Sequence, residues 1–264
     1  MTSITTVSRR AAALGELWGA RAADWSATEE RNAPSYEAAL AQLPPLAGRR
    51  VLDLGCGAGV FLRLAAGGGA SVAGLDVSEG LLAEAARRVP EADLRVGELD
   101  RLPFEADAFD VVTAFSSIFF AFDPIAALRE AGRVARPGAA VVIQVWGREE
   151  RCSLLAMKRA AAGLREGDLA GPPVPLAAPG VLEGMAAEAG LTPERAFGAA
   201  WAYEYANEDE LARGMLSAAS GVAAVREAGE ERARAAMLDA LAPFRTADGG
   251  YRLPNEYHYL IARA

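Results

Sequence analysis

The sequence has little of the residues that build metal centres, disulfide frameworks and nucleic-acid-binding surfaces. It contains two cysteines, Cys56 and Cys152, and one histidine, His258, among 264 residues. Two cysteines are too few for a disulfide framework or a thiolate zinc site, so we predict reduced thiols and no bound metal. The formal net charge is −8 and no basic stripe occurs. This composition argues against a nucleic-acid partner, which requires clustered lysine and arginine.

Long hydrophobic runs are also missing. No apolar segment approaches the roughly 18 residues that a membrane-spanning helix needs, and the first residues lack the leucine-rich stretch of a secretion signal. We therefore expect a cytoplasmic protein with no membrane partner, either a monomer or a homodimer. Hydrophobic residues make up 52% of the chain, which is enough for one α/β domain with elaborations.

Short apolar strands alternate with helical segments in the first half of the chain. This alternation is typical of a parallel sheet that helices cover on both faces. We predict an α/β fold with a Rossmann-like, seven-stranded, mostly parallel sheet and a helical cap over the active site. Strands are predicted at 50–54, 71–75, 92–96, 109–115, 139–146, 195–205 and 256–263.

The helical segments divide the chain into three predicted parts within a single domain. Helices are expected at 14–41, with a break near 32–34, and at 181–189, and a helical region is expected at 207–244. The predicted parts are an N-terminal helical cap segment at 1–48, a Rossmann-like ligand-binding core at 49–147, and cap segments with the strands that complete the sheet at 148–264.

Three glycines carry the strongest signal in the sequence. Gly55, Gly57 and Gly59 stand at alternate positions where the first predicted strand turns into a helix. Glycines let the backbone turn sharply and approach a ligand, and the helix start presents free N–H groups to that ligand. Dinucleotide enzymes space their glycines differently, as Gly-x-Gly-x-x-Gly facing a pyrophosphate. The spacing here therefore disfavours a nicotinamide cofactor.

Two aspartates refine the choice of ligand. Asp53 lies two positions before Gly55, and its carboxylate suits a ligand with an ammonium group better than a pyrophosphate. Asp76 ends the second predicted strand about 20 residues after the glycines, where an acidic side chain can hydrogen-bond both hydroxyls of a ribose. S-adenosylmethionine has an amino-acid tail, a ribose and no phosphate. The pattern therefore indicates S-adenosylmethionine.

Further segments complete a recognisable pattern. Together with the glycines and Asp76 they resemble, in order and spacing, the class I S-adenosylmethionine-dependent methyltransferases of the ubiquinone/menaquinone-biosynthesis type, over residues 49–146. The segments that carry this resemblance are 97–104, 109–112, 126–130 and 134–138.

The resemblance implies S-adenosyl-L-methionine as the cofactor and gives roles to residues by position. Gly55 and Gly57 would flank the methionine part of the cofactor. Asp53 and Cys56, at the same turn, are also assigned to the cofactor site. Asp76 would hold the ribose. The remaining implied contacts are Val77 packing on the adenine, Glu98 accepting from its exocyclic amine, Leu99 donating its N–H to a ring nitrogen, and Phe115 and Ser116 bordering the methionine part.

Aromatic residues indicate an acceptor pocket beside the cofactor. Many relatives carry two histidines where Phe119 and Phe120 stand, so a base role for those histidines is absent here. Core packing remains an equal alternative for each aromatic residue. The candidates are Trp25 and Tyr36 for the cofactor site, and Trp18, Phe119, Phe120 and Trp146 for the substrate pocket.

The predicted reaction is in-line methyl transfer to an oxygen, nitrogen or carbon nucleophile of a small-molecule acceptor. The sulfonium is intrinsically reactive, so the protein contributes mainly alignment, and we assign no catalytic residue. His258 lies in a predicted strand, which favours a packing role over a base role. Two alternatives stay open: an S-adenosylmethionine-binding protein that transfers no methyl group or catalyses another cofactor-assisted reaction, and a nicotinamide-dependent oxidoreductase.

Two long segments have no place in the predicted sheet. They are 148–179 and 207–244. Because ligands of open α/β sheets bind outside the carboxyl ends of the strands, we expect both segments to cover the acceptor pocket together with the helix that bears Trp18 and Trp25. Dimerisation is the alternative role for 207–244.

Overall fold

A seven-stranded sheet forms the centre of the molecule, in a computed structural model that describes residues 7–164 and 176–264. The strands are β1 (Arg50–Leu54), β2 (Ser71–Asp76), β3 (Asp93–Val96), β4 (Phe109–Phe115), β5 (Ala135–Trp146), β6 (Thr192–Tyr205) and β7 (Tyr251–Arg263). Their order across the sheet is β3-β2-β1-β4-β5-β7-β6. Strands β1 to β5 run parallel, and β7 is antiparallel to both β5 and β6. The prediction of a mostly parallel seven-stranded α/β sheet is confirmed.

The helices pack on both faces of this sheet and beyond the ends of its strands. They are α1 (Arg9–Gly19), α2 (Ala22–Glu29), α3 (Ala33–Leu40), α4 (Val60–Gly67), α5 (Glu79–Arg88), α6 (Pro124–Val134), α7 (Ser153–Ala162), α8 (Val181–Glu188), α9 (Glu208–Ser217), α10 (Ala219–Ala228) and α11 (Glu230–Leu241). None of the described helices is long and apolar enough to span a bilayer.

Polar side chains fix where several helices begin. Ser78 caps α5 by accepting a hydrogen bond from the Leu81 N–H at 3.3 Å, and Asp123 caps α6, whose first residue is Pro124. Such caps satisfy N–H groups that have no partner inside the helix. Asn207 caps α9 by accepting from the Glu210 N–H at 2.9 Å. The helix starts are therefore encoded locally.

The sheet separates two hydrophobic clusters. Along β1, Val51 belongs to the cluster on one face and Leu52 to the cluster on the other, as expected for side chains that alternate along a strand. On β5, Val142 and Ile143 divide in the same way. A third cluster joins the far ends of β6 and β7 to α7, α9 and α11. The first two clusters anchor the sheet, and the third anchors the helices beyond its edge.

The structure differs from the predictions mainly in the length of its elements. The helix expected at 14–41 is interrupted between α2 and α3, close to the predicted break, and again between α1 and α2. The helical region expected at 207–244 consists of α9, α10 and α11. Strand β7 begins at Tyr251 rather than at 256, because β6 extends far enough to pair with it down to Tyr205. Part of the segment expected at 148–179, residues 165–175, lies outside the described residues.

Candidate functional site

The glycine-rich turn between β1 and α4 is shaped by the neighbours of its glycines. Gly57 has φ +55°, which L side chains rarely adopt. A Cβ on Gly57 would also lie 2.6 Å from Glu29 Oε2. Gly55 has φ +74°, and a Cβ there would overlap the side chain of Ser117. Both positions therefore require glycine for backbone conformation and for space.

Glu29, the last residue of α2, closes the start of α4. Its carboxylate accepts hydrogen bonds from the Ala58 N–H at 2.7 Å and from the Val60 N–H at 3.1 Å. In dinucleotide-binding folds, free N–H groups at the corresponding helix start hold a phosphate. Here a carboxyl group of the protein takes those donors, so they are not free to hold a pyrophosphate.

Burial raises the pKa of the Glu29 carboxyl group. The residue is 4% exposed. Desolvation raises its pKa to about 7, against the opposing effect of the hydrogen bonds from Ala58 and Val60 and of the charge of Arg88. Sequence reasoning missed Glu29, because a glutamate beside Glu30 at the end of a short helix has no spacing that distinguishes it from a solvated side chain.

Asp76 lies at the end of β2 and faces the glycine turn. One carboxylate oxygen accepts from the Gly57 N–H and the other from the Ser78 N–H, each at 2.9 Å. Burial raises the pKa of Asp76. The side chain lines the cavity described below, so it holds the turn in place and also faces any ligand there.

The structure corrects the expectation for Asp53 and Cys56, neither of which lines the cavity. Asp53 points across the sheet and accepts a hydrogen bond from Thr113 Oγ1 at 2.7 Å, and burial raises its pKa to about 8. Cys56 is buried, and its Sγ packs beside Gly74 of β2. Both side chains point into the core, whereas the backbone of the glycine turn lines the cavity.

A cavity of about 580 Å³ opens at the carboxyl ends of the parallel strands, where open α/β sheets bind their ligands. All other sequence-predicted site residues line it. They are Trp18, Trp25, Tyr36, Gly55, Gly57, Asp76, Val77, Glu98, Leu99, Phe115, Ser116, Phe119, Phe120 and Trp146.

At one end of the cavity, Glu98 and Leu99 stand beside Val77. The carboxylate of Glu98 accepts hydrogen bonds from the backbone N–H and the hydroxyl of Ser8, the latter at 3.0 Å. Ser8 is also the cap of α1. A Cβ on Gly15 of α1 would overlap the carbonyl of Val77, so the helix packs closely over this end of the cavity. The three residues expected to contact adenine, Val77, Glu98 and Leu99, thus lie beneath α1.

Aromatic rings form another part of the cavity wall. Trp18 is 4.6 Å from Trp25 and 5.9 Å from Phe120, measured between ring centroids. Phe119 and Phe120 are 4.7 Å apart. These four rings form a continuous surface, which we call the aromatic wall.

Helices from the C-terminal part of the chain complete the cavity. Lining residues come from α7, α9 and α10 and include Met157, Lys158, Met215 and Ala219. Helix α10 also contacts α1, where Leu17, Ala219 and Val222 belong to one small hydrophobic cluster. The cavity is therefore roofed by helices that take no part in the sheet.

His258 lies away from the cavity. It sits in β7 between Val145 of β5 and Gly198 of β6, and it is not among the lining residues. Its Nε2 is buried without a hydrogen-bond partner among the described residues. No described group of three or more histidine, cysteine or acidic side chains is arranged to hold a metal.

Comparisons with known proteins agree with this geometry. Residues 52–143 match the family described as "Methyltransferase domain". The chain is 36% identical to a ubiquinone biosynthesis O-methyltransferase of Thiobacillus denitrificans over 118 residues, 43% of this chain and 51% of that protein. It is 43% identical to a demethylmenaquinone methyltransferase of Mycolicibacterium paratuberculosis over 97 residues, 36% of this chain and 41% of that protein.

The fold extends beyond the matched domain. A candidate methyltransferase of Bacillus halodurans superposes with a TM-score of 0.57 at 16% identity, covering 86% of this chain and 97% of that one. The sequence matches span about half the length of the curated relatives. Residues 52–143 therefore resemble a methyltransferase domain, and the relatives that share this region are named as quinone-biosynthesis methyltransferases.

Proposed function

We propose that the protein binds S-adenosyl-L-methionine and transfers its methyl group to a small-molecule acceptor. The observation that carries this proposal is the position of Glu29, whose carboxylate occupies the N–H groups of Ala58 and Val60 at the start of α4. With Asp76 and Glu98 it makes one end of the cavity acidic. Such an end favours a cationic ligand and disfavours a pyrophosphate.

The residues present fit S-adenosylmethionine, which supplies an electrophilic methyl group on a sulfonium. Gly55 and Gly57, which line the cavity together with Phe115 and Ser116, would contact its methionine part. Asp76 faces the cavity from the end of β2, as a ribose partner must. Val77, Glu98 and Leu99 are the proposed adenine contacts.

The protein's contribution to transfer is alignment and exclusion of water. The aromatic wall and Trp146 would orient the acceptor, and rings also attract a cation. Helices α1, α7, α9 and α10 would act as the cover that keeps water from the reaction. No base is required where the nucleophile arrives ionised or carries a free lone pair.

The domain organisation that accompanies this function remains a proposal. It assigns 1–48 and parts of 148–264 to the cover and 49–147 to the cofactor-binding core. The net charge of −8 supports a partner that is not a nucleic acid. We propose a cytoplasmic enzyme that acts as a monomer or a homodimer.

Calorimetry with S-adenosylmethionine and, separately, with a nicotinamide dinucleotide tests the cofactor. We expect binding of the first only; binding of the dinucleotide alone would overturn the proposal. Incubation with S-adenosylmethionine and fractionated metabolite extract then tests transfer through the formation of S-adenosylhomocysteine. Cofactor binding with no product from any fraction would favour a binding protein without transfer.

A further inference from the structure

Charged groups are distributed unevenly around the cavity. The acidic lining residues Glu29, Asp76, Glu98 and Asp100 follow or face the ends of β1, β2 and β3. Among the described residues, the basic lining side chains are Arg10 and Lys158. Arg10 is exposed and lies over the ring of Phe122, itself 76% exposed. Within the described part of the chain, Lys158 is therefore the basic residue that lies inside the cavity.

Lys158 projects from α7 against the aromatic wall. Its Nζ is 5.6 Å from the centroid of the Phe119 ring. On the same helix, Leu154 and Met157 are buried and also line the cavity. The ammonium group thus lies against the aromatic wall, and the other residues of α7 that line the cavity are apolar.

The environment of Lys158 differs from that of its neighbour on the helix. Arg159 is 59% exposed and pairs with Glu149. Desolvation lowers the pKa of Lys158, and no charge among the described residues offsets that effect. A partly desolvated cation without an anionic neighbour gains stability when a ligand supplies the anion.

We propose that Lys158 selects the acceptor by pairing with an anionic oxygen group, a carboxylate or an ionised hydroxyl, on an otherwise apolar aromatic molecule. The flat apolar part lies on the aromatic wall, and the anionic group points to Lys158 Nζ. The cavity then complements a cation at its acidic end and an anion at Lys158. This inference rests on the proposed function, because it takes the acidic end to be filled by the cofactor.

Two dyes with nearly the same aromatic body test the inference directly. Anilinonaphthalene sulfonate carries an anionic group, whereas N-phenyl naphthylamine is neutral. Each is titrated into the full-length protein by fluorescence, with and without saturating S-adenosylhomocysteine. We expect Lys158→Met to weaken binding of the anionic dye by about tenfold or more and to leave the neutral dye bound as well or better.

Three variants serve as controls. Lys158→Arg keeps the charge and should keep the preference for the anionic dye, and Lys158→Gln should lose it. Gln also covers the case in which the Met variant folds poorly. Arg159→Met removes the same charge from the exposed side of α7 and should change neither dye. S-adenosylhomocysteine affinity, measured by calorimetry, should be the same in all four variants.

The two proposals fail in different ways. If Lys158→Met and Lys158→Gln bind the anionic dye as the unchanged protein does, or lose both dyes equally, Lys158 is a packing residue and the inference is wrong. If the unchanged protein does not bind S-adenosylhomocysteine, the proposed function is wrong, and the dye preference still decides the role of Lys158.

Discussion

Glu29 and Gly57 are in direct contact across the mouth of the glycine turn. The Oε2 atom of Glu29 lies 2.6 Å from the position that a Cβ on Gly57 would occupy, and the same oxygen accepts from the Ala58 N–H. The carboxylate of Glu29 can reach the glycine turn because Gly57 has no side chain. The turn and the N-terminal helices form a single unit.

Gly57→Ala should break this contact. The methyl group would displace the Glu29 carboxylate, and φ +55° would be strained for alanine. We expect a loss of about 1–3 kcal/mol in unfolding free energy and at least about tenfold weaker S-adenosylmethionine binding. Chemical denaturation and calorimetry measure the two effects.

Gly67→Ala is the matched control, because Gly67 lies in α4 and a Cβ there meets nothing within 4 Å. It should be neutral or slightly stabilising. Equal affinity in the Gly57 and Gly67 variants would remove the argument that the turn cradles the cofactor.

Glu29 should make the ligand-free protein less stable as pH rises. Its pKa is about 7 when folded against an ordinary value of 4.5, so the folded state keeps a proton that the unfolded chain loses over this range. The contribution of Glu29 protonation to the free energy of unfolding is fully present below pH 4.5 and is lost as pH rises through 7. Glu29→Gln should reduce the fall in unfolding free energy between pH 5 and pH 8 by on the order of 2–3 kcal/mol.

Denaturation at several pH values measures this difference. Asp53 and Asp76 also have raised pKa values, so part of the fall should persist in the variant. Glu204→Gln, which removes an exposed carboxylate paired with Arg252, is the control. A pH profile identical in the unchanged protein and Glu29→Gln would contradict the proposed titration.

How far the sequence predicts the structure depends on the range of the interactions involved. The strands of the core and the turn at Gly55 and Gly57 were predictable, because apolar periodicity and glycine spacing are local. Glu29 was not, since its partners at Ala58 and Val60 lie about thirty positions away. The sequence correctly predicts that Asp53 lies at the glycine turn. Its orientation toward Thr113 depends on the pairing of β1 with β4, which the local sequence does not determine.

The start of β7 illustrates the same limit. Pro254 in the sequence argues against a strand at that point, because proline has no N–H for a ladder. In the structure β5 ends at Trp146, opposite Tyr257, so β7 before Tyr257 pairs with β6 alone. Pro254 therefore occupies an edge, where its missing N–H is tolerated.

Asp76→Asn should weaken S-adenosylmethionine binding by about tenfold to a hundredfold, since charge-assisted hydrogen bonds to the ribose are lost. Asp110→Asn is the control variant. Asp110 lies at the amino end of β4, away from the cavity, where it accepts a hydrogen bond from the Arg50 N–H. That variant should keep full affinity. Unchanged calorimetric affinity in Asp76→Asn would show that the ribose is placed wrongly.

His258→Gln should leave turnover within about tenfold, or ~1.4 kcal/mol. The residue lies in the middle of β7 and does not line the cavity. Turnover is followed as S-adenosylhomocysteine formed with an active metabolite fraction. A thousandfold loss with normal cofactor affinity would identify His258 as a base and contradict this prediction.

The cover should open far more readily than the sheet. Its contact between α1 and α10 rests on a small cluster of buried residues, Leu17, Ala219, Val222 and Ala223, whereas the sheet is anchored by the large clusters on its two faces. Elements with few buried apolar contacts open locally at low free energy. Backbone amides of α1 and α10 should therefore exchange hydrogen faster than those of β1 and β4.

Val222→Ala should accelerate this opening selectively. Two methyl groups leave the contact with α1, which costs about 1–2 kcal/mol. Exchange in α1 and α10 should then become about tenfold faster while β4 is unchanged, and S-adenosylhomocysteine should slow it again. Val225→Ala is the matched control, because Val225 lies on the same helix but packs against the cluster of α7, α9 and α11. If both variants accelerate α1 equally, the contact between α1 and α10 does not hold the cover closed.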